Sequence, residues 1–271
     1  MVDNFRGPLS IKSVIDGQVT WTVDGRDLVV DSNSFLVLND GQSYSMNLEN
    51  IEAPRPMETC CAFFRGGFVE QVAQDATTAL QASLAAPSRE APPLHFIARL
   101  HMDPAHVILS RLRTLAKRCN EQLQPSSFEE DFLVLSKELL ALYNEIHAQI
   151  SRVPAAKAST REELFRRMQI AKEYMHSCGE ERVSLEKVAR EAALSAYHLH
   201  RSFREAFKQT PHEYLTALRL ERARSLLKAG HMVIDACIEV GFTSTSSFSR
   251  LFRSRFGYPP SEIRKNGQAR R

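Results

Sequence analysis

Near the end of this 271-residue chain one pattern occurs twice. The first copy is SLEKVAREAALSAYHLHRSFREAF (184–207) and the second is VIDACIEVGFTSTSSFSRLFRSRF (233–256). Laying Ser195 on Ser244, an offset of 49, also superposes Leu199 on Phe248, Arg201 on Arg250, Phe203 on Phe252, Arg204 on Arg253, Phe207 on Phe256 and Pro211 on Pro260. A chain that repeats apolar, basic and proline positions at one spacing must build the same local unit twice.

Each copy reads as a short helix, a tight turn at Ala193 or Gly241, and a second helix N-capped by Ser195 or Ser244. Apolar residues four apart (Leu199, Phe203, Phe207; Phe248, Phe252, Phe256) give the second helix a buried stripe. Tyr197, His200, Arg201 and Arg204 are then left to face elsewhere, as are Thr245, Ser246, Ser249, Arg250 and Arg253. This is the pattern of a helix-turn-helix, whose second helix enters the DNA major groove with its N-terminal side chains on base edges. A solvated helix face also carries arginines, but an accident of packing need not repeat its exposed positions.

Charge is distributed in the same sense. The chain as a whole is only +3, yet residues 161–271 hold 21 Lys and Arg against 13 Asp and Glu, a net +8, while 1–160 are −5. An acidic first part and a basic last part point to a nucleic-acid module joined to something else. The apolar share, 43%, suffices for real cores in both parts.

Residues 161–266 resemble the DNA-binding domain of the AraC/XylS family of bacterial transcriptional regulators. The closest correspondence is GFTSTSSFSRLFRSRFGYPPSEIR, with Gly241, Phe242, Phe248, Phe252, Gly257 and Pro260 in the family's positions. The resemblance implies two helix-turn-helix units joined by a long helix (212–230 here) and reaching successive major grooves of double-stranded DNA. It implies base readers at Tyr197, His200 and Arg201, and at Thr245, Ser246, Ser249 and Arg250. Ser202, Arg204, Lys208 and Arg253 are then phosphate contacts or solvated charges. Two positions depart from the family: Ala193 where glycine is usual in the turn, and Thr210 in place of a glycine common after the recognition helix.

The first part is expected to be a sensing and dimerisation domain, 1–152, with a β part at 9–64 and a helical part at 68–152. Three Asp-Gly pairs (16–17, 24–25, 40–41) separate short apolar runs and predict hairpins. Val19, Trp21 and Val23 alternate with polar residues as a half-buried strand should. Runs at 28–30, 35–38 and 60–64 add strands, and 94–101 offers one more. A small antiparallel sheet rolled into a barrel or sandwich results, a cupin-like barrel by the family resemblance, so the chain is α+β followed by an all-α double helix-turn-helix domain. Helices are expected over 68–84, from the Asp103-Pro104 cap through about Cys119, and from a Ser127/Glu130 capping box onward, with 85–93 a proline-rich loop. Phe132, Leu135, Leu139, Leu142 and Ile146 form a narrow seam that either pairs with a second copy or covers its own sheet. Residues 153–160 read as a linker.

Other chemistry is poorly supported. No histidine falls in 9–64, and His95, His101 and His106 do not converge on an ion, so neither a metal nor a cofactor is expected. Trp21, Phe35 and Tyr44 are core residues by default and pocket-lining ones otherwise. The five cysteines have no framework spacing and read as reduced thiols; Cys60-Cys61 leaves room for a thiol sensor. No long apolar run predicts a membrane span and no secretory signal is visible, so a cytoplasmic location is expected. Two rivals remain: an alkyl-transfer repair enzyme with a reactive cysteine, which would call for a zinc site, and a non-specific architectural binder, which would call for a denser basic surface. The expected partners are double-stranded DNA, a second copy of the chain, possible RNA polymerase and a possible small-molecule effector.

Overall fold

The computed structural model describes residues 2–47, 58–81, 93–97, 99–103, 105–121, 128–178 and 183–263. The chain divides into two compact units, Met1–Ala148 and Gln149–Arg271.

The first unit holds eight strands among the described residues: β1 (Val2–Arg6), β2 (Ser10–Asp16), β3 (Gln18–Val23), β4 (Arg26–Asp31), β5 (Ser34–Leu38), β6 (Ser43–Asn47), β7 (Glu58–Phe63) and β8 (Leu100–Met102). They form two antiparallel sheets, ordered β1-β6-β3-β4 and β7-β2-β5-β8. Of barrel and sandwich, the described residues therefore show an open pair of four-stranded sheets and not the closed, cupin-like barrel. The β part also begins earlier than residue 9, because β1 pairs with β6, and the 94–101 run supplies only the short β8.

Of the three Asp-Gly pairs, only Asp24-Gly25 makes a hairpin. Asp24 and Gly25 both have positive φ, 50° and 74°, and Val23 pairs with Arg26 across the turn. Gly17 and Gly41 are also left-handed, but they turn corners between sheets: β2 and β3 lie in different sheets, as do β5 and β6. The local backbone requirement is shared by hairpin and corner; the choice of strand partner separates them.

Between the sheets lies a core of Val14, Val19, Trp21, Val23, Leu28, Val30, Leu36, Leu38, Tyr44 and Leu100. Trp21 and Tyr44 thus belong to the core, and Phe35, buried, stacks on His101 with ring centroids 5.3 Å apart. Among the described residues three helices complete this unit, α1 (Phe68–Gln81), α2 (Val107–Asn120) and α3 (Glu129–Ser151), of which α2 packs on β2 and β7 of the second sheet. Helix α2 starts later than the Asp103-Pro104 pattern suggests. Asp103 still caps it, its carboxylate accepting from the N–H groups of Val107 and Leu109 at 3.0 and 2.9 Å. The Ser127 cap and the loop over 85–92 lie outside the described residues. The seam on α3 is buried within the chain: Leu135 and Leu139 have no exposure, Ile146 is buried, and Phe132 meets Phe64 edge-on at 5.5 Å.

The second unit is helical: α4 (Ala158–Ser177), α5 (Leu185–Glu191), α6 (Ala196–Phe207), α7 (Pro211–Lys228), α8 (Val233–Glu239) and α9 (Thr245–Phe256). Helix α4 packs on α5 and α6, and α7 packs on α8 and α9. The repeat is thus three helices long, and its scaffold helix has a register of its own, 52 residues. At that offset Met168, Ala171 and Met175 match Leu220, Ala223 and Leu227, all buried. Buried Gln169 matches buried Glu221 as well.

Candidate nucleic-acid interface

Both turns close with the same hydrogen bonds. In the first, Ala193 N–H donates to Arg190 O and Leu194 N–H to Ala189 O; in the second, Gly241 donates to Ile238 and Phe242 to Cys237. These partners are 48 residues apart, whereas the recognition helices are 49 apart. The second turn carries one extra residue, Thr243, before its cap. Both turns need a left-handed residue, with φ of 52° at Ala193 and 82° at Gly241. The family-unusual Ala193 therefore adopts the conformation glycine would take, at a cost of about 1 kcal/mol.

Each turn is also met by an arginine of the scaffold helix, which the sequence pattern alone did not single out. Arg167 donates to Ala193 O at 3.0 Å, and the Arg219 guanidinium lies 3.4 Å from where a Cβ on Gly241 would sit. The two arginines are again 52 residues apart. Arg167 is held by Glu163, whose carboxyl this hydrogen bond keeps below the usual range.

Recognition helix α6 starts where Ser195 Oγ accepts from His198 N–H (3.2 Å), and α9 where Ser244 Oγ accepts from Ser247 N–H (3.3 Å). They end on left-handed residues, Lys208 (φ 57°) and Gly257 (φ 83°), each N–H donating four residues back. Lys208, not Thr210, thus occupies the left-handed position after α6. Thr210 instead opens α7 in a capping box with Glu213, and its backbone N–H holds that carboxyl below the ordinary range.

The buried stripe falls as the four-residue spacing requires. Leu199, Phe203, Phe248 and Phe252 are buried, and Phe207 and Phe256 half-buried. Opposite it, Tyr197 (69% exposed), His200, Arg201 and Arg204 are exposed on α6. On α9, Thr245, Ser246, Arg250 and Arg253 are exposed and Ser249 is half-buried. Ser202 is buried against the core, so it faces away from any phosphate.

The arginines of the two faces have no close internal partner, and Arg204 acts only at longer range on the Glu213 carboxyl. Among the described residues Arg201, Arg204, Arg250 and Arg253 make no side-chain hydrogen bond or ion pair. Several other arginines of the unit are engaged: Arg166 and Arg167 pair with Glu163, Arg224 and Arg255 with Glu221, and Arg152 donates to Ala206 O, while exposed Arg190 of α5 is unpaired like the four. A guanidinium with no internal partner keeps its planar fork of donors available for guanine O6 and N7 or a phosphate. Neighbouring threonine and serine hydroxyls are less discriminating donors and acceptors.

Two three-helix units in series, each presenting a capped helix with unpaired arginines, define a tandem helix-turn-helix domain. Residues 188–266 match the family described as "Helix-turn-helix domain". The chain is 41% identical over 90 residues to the HTH-type transcriptional activator RhaS of Escherichia fergusonii, and 39% identical over 90 residues to RhaS of Salmonella arizonae. Each match covers 33% of this chain, and the chain spans about a third (32%) of the length of these relatives. Among solved structures, an AraC-type regulator from Chromobacterium violaceum is 28% identical, covering 41% of this chain and 96% of that one, with a TM-score of 0.36. Residues 188–266 thus carry a helix-turn-helix domain, and over 90 residues the chain is similar to the RhaS activators.

Among the described residues no helix is long and apolar enough to cross a membrane, and no group of three or more His, Cys, Asp or Glu is placed to hold a metal.

Proposed function

We propose that the chain is a sequence-specific DNA-binding transcriptional regulator and not an enzyme. The observation that carries this is the repeated, exposed face of α6 and α9 with its four unpaired arginines. In this reading Tyr197, His200 and Arg201 read bases in one major groove of double-stranded DNA, and Thr245, Ser246, Ser249 and Arg250 in the next. Arg204 and Arg253 hold phosphates. Helix α7, 18 residues and roughly 27 Å long, spaces the two readers.

Residues 161–266 form the DNA-binding domain, 153–160 the linker, and 1–152 a cupin-like sensing and dimerisation domain working in the cytoplasm. Dimerisation, an effector and contact with RNA polymerase belong to this reading of the whole protein. A modest positive charge limits non-specific affinity, so base contacts must supply much of the selectivity.

The test is selection of bound duplexes from a randomised library, followed by gel shift of the full chain on the winning sequence and on scrambled competitor. Enrichment of a site with two half-elements about one helical turn apart is expected. A specificity ratio near unity at physiological salt would overturn the reading.

A further inference from the structure

Lys12 lies in the middle of β2 with 1% of its surface exposed, on the face that looks between the two sheets. Its ammonium has no carboxylate partner among the described residues. It rests instead on aromatic rings, with Nζ 3.7 Å from the Phe63 centroid and 4.6 Å from that of Tyr44. Directly opposite on β7 stands Cys61. Two residues before Lys12, on the same face, Ser10 Oγ is fully buried and has no hydrogen-bond partner. An orphaned hydroxyl in an apolar interior is costly, and beside it a lysine whose ammonium has only rings and the Cys61 thiol for neighbours marks a place where a ligand can supply a partner.

Another lysine over two rings, half-buried Lys172, has a structural explanation. Lys172 sits over Phe207 and Tyr214, and its counterpart 52 residues on, Arg224, covers Phe256 at the same 4.8 Å. Lys12 belongs to no such repeated frame.

We propose that Lys12 is a covalent binding site for an apolar carbonyl compound, an aldehyde or ketone, which it captures as an imine. The amine lone pair attacks the carbonyl carbon, and the C=O π electrons move to oxygen, which takes a proton from nitrogen. The C–O bond of this carbinolamine then breaks as the nitrogen lone pair forms C=N, and the hydroxyl leaves as water with the proton that remained on nitrogen. No oxidant or reductant is needed. Three features suit this chemistry. Burial lowers the lysine pKa to about 8, so a usable fraction of the amine is neutral near physiological pH. The surrounding rings favour an uncharged ligand over an ion that must be desolvated. Ser10 Oγ offers a hydrogen-bond partner on the same strand face. The site comes nearest the surface at Phe63, which is 43% exposed on the edge strand; a cavity of about 860 Å³ is bordered by Phe63 and Cys61, and neither Lys12 nor Ser10 lines it.

As the identity of an effector site, this rests on the reading of the first unit as the sensor; the chemistry is tested without DNA. The full chain is incubated with benzaldehyde and sodium cyanoborohydride, which reduces an imine to a stable amine, and the modified lysines are mapped by mass spectrometry. Lys12 is expected to label about tenfold faster than exposed Lys117 and Lys137, and Lys12→Arg to abolish that peptide's adduct alone. Labelling that merely follows exposure would overturn the proposal, as would protection by benzoate at concentrations below those at which benzaldehyde reacts, which would assign the site to an anion. Mapping on the unaltered chain decides the matter even if Lys12→Arg fails to fold. A gel shift with and without benzaldehyde then reports separately on the regulatory reading.

Discussion

The two helix-turn-helix units share a frame and differ in how comfortably each adopts it. Both bury the same scaffold positions, close their turns with the same pair of hydrogen bonds, and lay a scaffold cation 4.8 Å over the last aromatic residue of the recognition helix. At the two left-handed positions, however, the first unit uses Ala193 and Lys208 where the second uses Gly241 and Gly257. Their outer faces differ too. Exposed Glu186 and Arg190 on α5 become exposed Ile234 and Ile238 on α8, 55% and 67% exposed. The frame is therefore what packing enforces, while backbone comfort and surface chemistry vary independently of it.

The most disruptive way to probe this likeness is to truncate matched core rings. Phe203 and Phe252 have no exposure, and replacing either with alanine should cost about 3–5 kcal/mol. Urea unfolding followed by helical circular dichroism should show similar losses; a several-fold difference would break the equivalence of the two cores. Next come the exposed arginines. Arg201→Ala and Arg250→Ala should each weaken specific DNA binding by about 1–3 kcal/mol and relax base preference in one half-element, without changing the unfolding transition. Uniform weakening on every sequence would instead mark that arginine as a phosphate contact.

A smaller effect separates the scaffold helices. Glu221, buried on α7, pairs with Arg224 at 2.8 Å and with Arg255 of α9 at 3.5 Å, whereas its match on α4 is the neutral Gln169. Glu221→Gln should destabilise the second unit by about 1–2 kcal/mol, since Arg255 is substantially exposed and solvent screens that arm of the pair. Then the turns: Ala193→Gly should stabilise the chain by about 1 kcal/mol, and Gly241→Ala should destabilise it by at least as much because its Cβ also meets Arg219.

The last contrast is a pH dependence. Burial lowers Lys172 from 10.5 to about 8, so the folded state prefers the neutral amine. Across the window from about pH 8 to 10.5 the unfolded chain holds more protons on this group, and its contribution to stability rises with pH. Stability of the wild-type chain measured by chemical denaturation across that window should rise through this group, and Lys172→Arg should flatten that component.

Much of the second unit was legible in the sequence, because its elements interact with near neighbours and the four-residue apolar spacing dictates which face is buried. The caps at Ser195 and Ser244 and the exposure of Arg201 and Arg250 follow from spacing alone. What spacing did not reveal was the scaffold helix as part of the repeat. Its offset of 52 differs from the 48 of the first helices and the 49 of the recognition helices, so no single alignment displays all three. In the first unit less was legible. Asp16-Gly17 and Asp40-Gly41 have the same positive-φ requirement as Asp24-Gly25, and nothing local says that they carry the chain from one sheet to the other. The narrow seam on α3 was likewise ambiguous between a partner copy and its own core, since an apolar stripe specifies burial and not what buries it.

The sequence by itself determined where left-handed turns must fall, which helix faces are apolar, and which arginines stand opposite those faces, because these depend on backbone sterics and periodicity over a few residues. Only the tertiary structure decided which strands pair, that Lys208 and not Thr210 takes the left-handed position after α6, and that Lys12 is shut between two sheets against aromatic rings beside an unsatisfied Ser10 hydroxyl. Those outcomes depend on contacts between residues far apart in the chain, where the packing of the whole unit selects among arrangements that are locally equivalent.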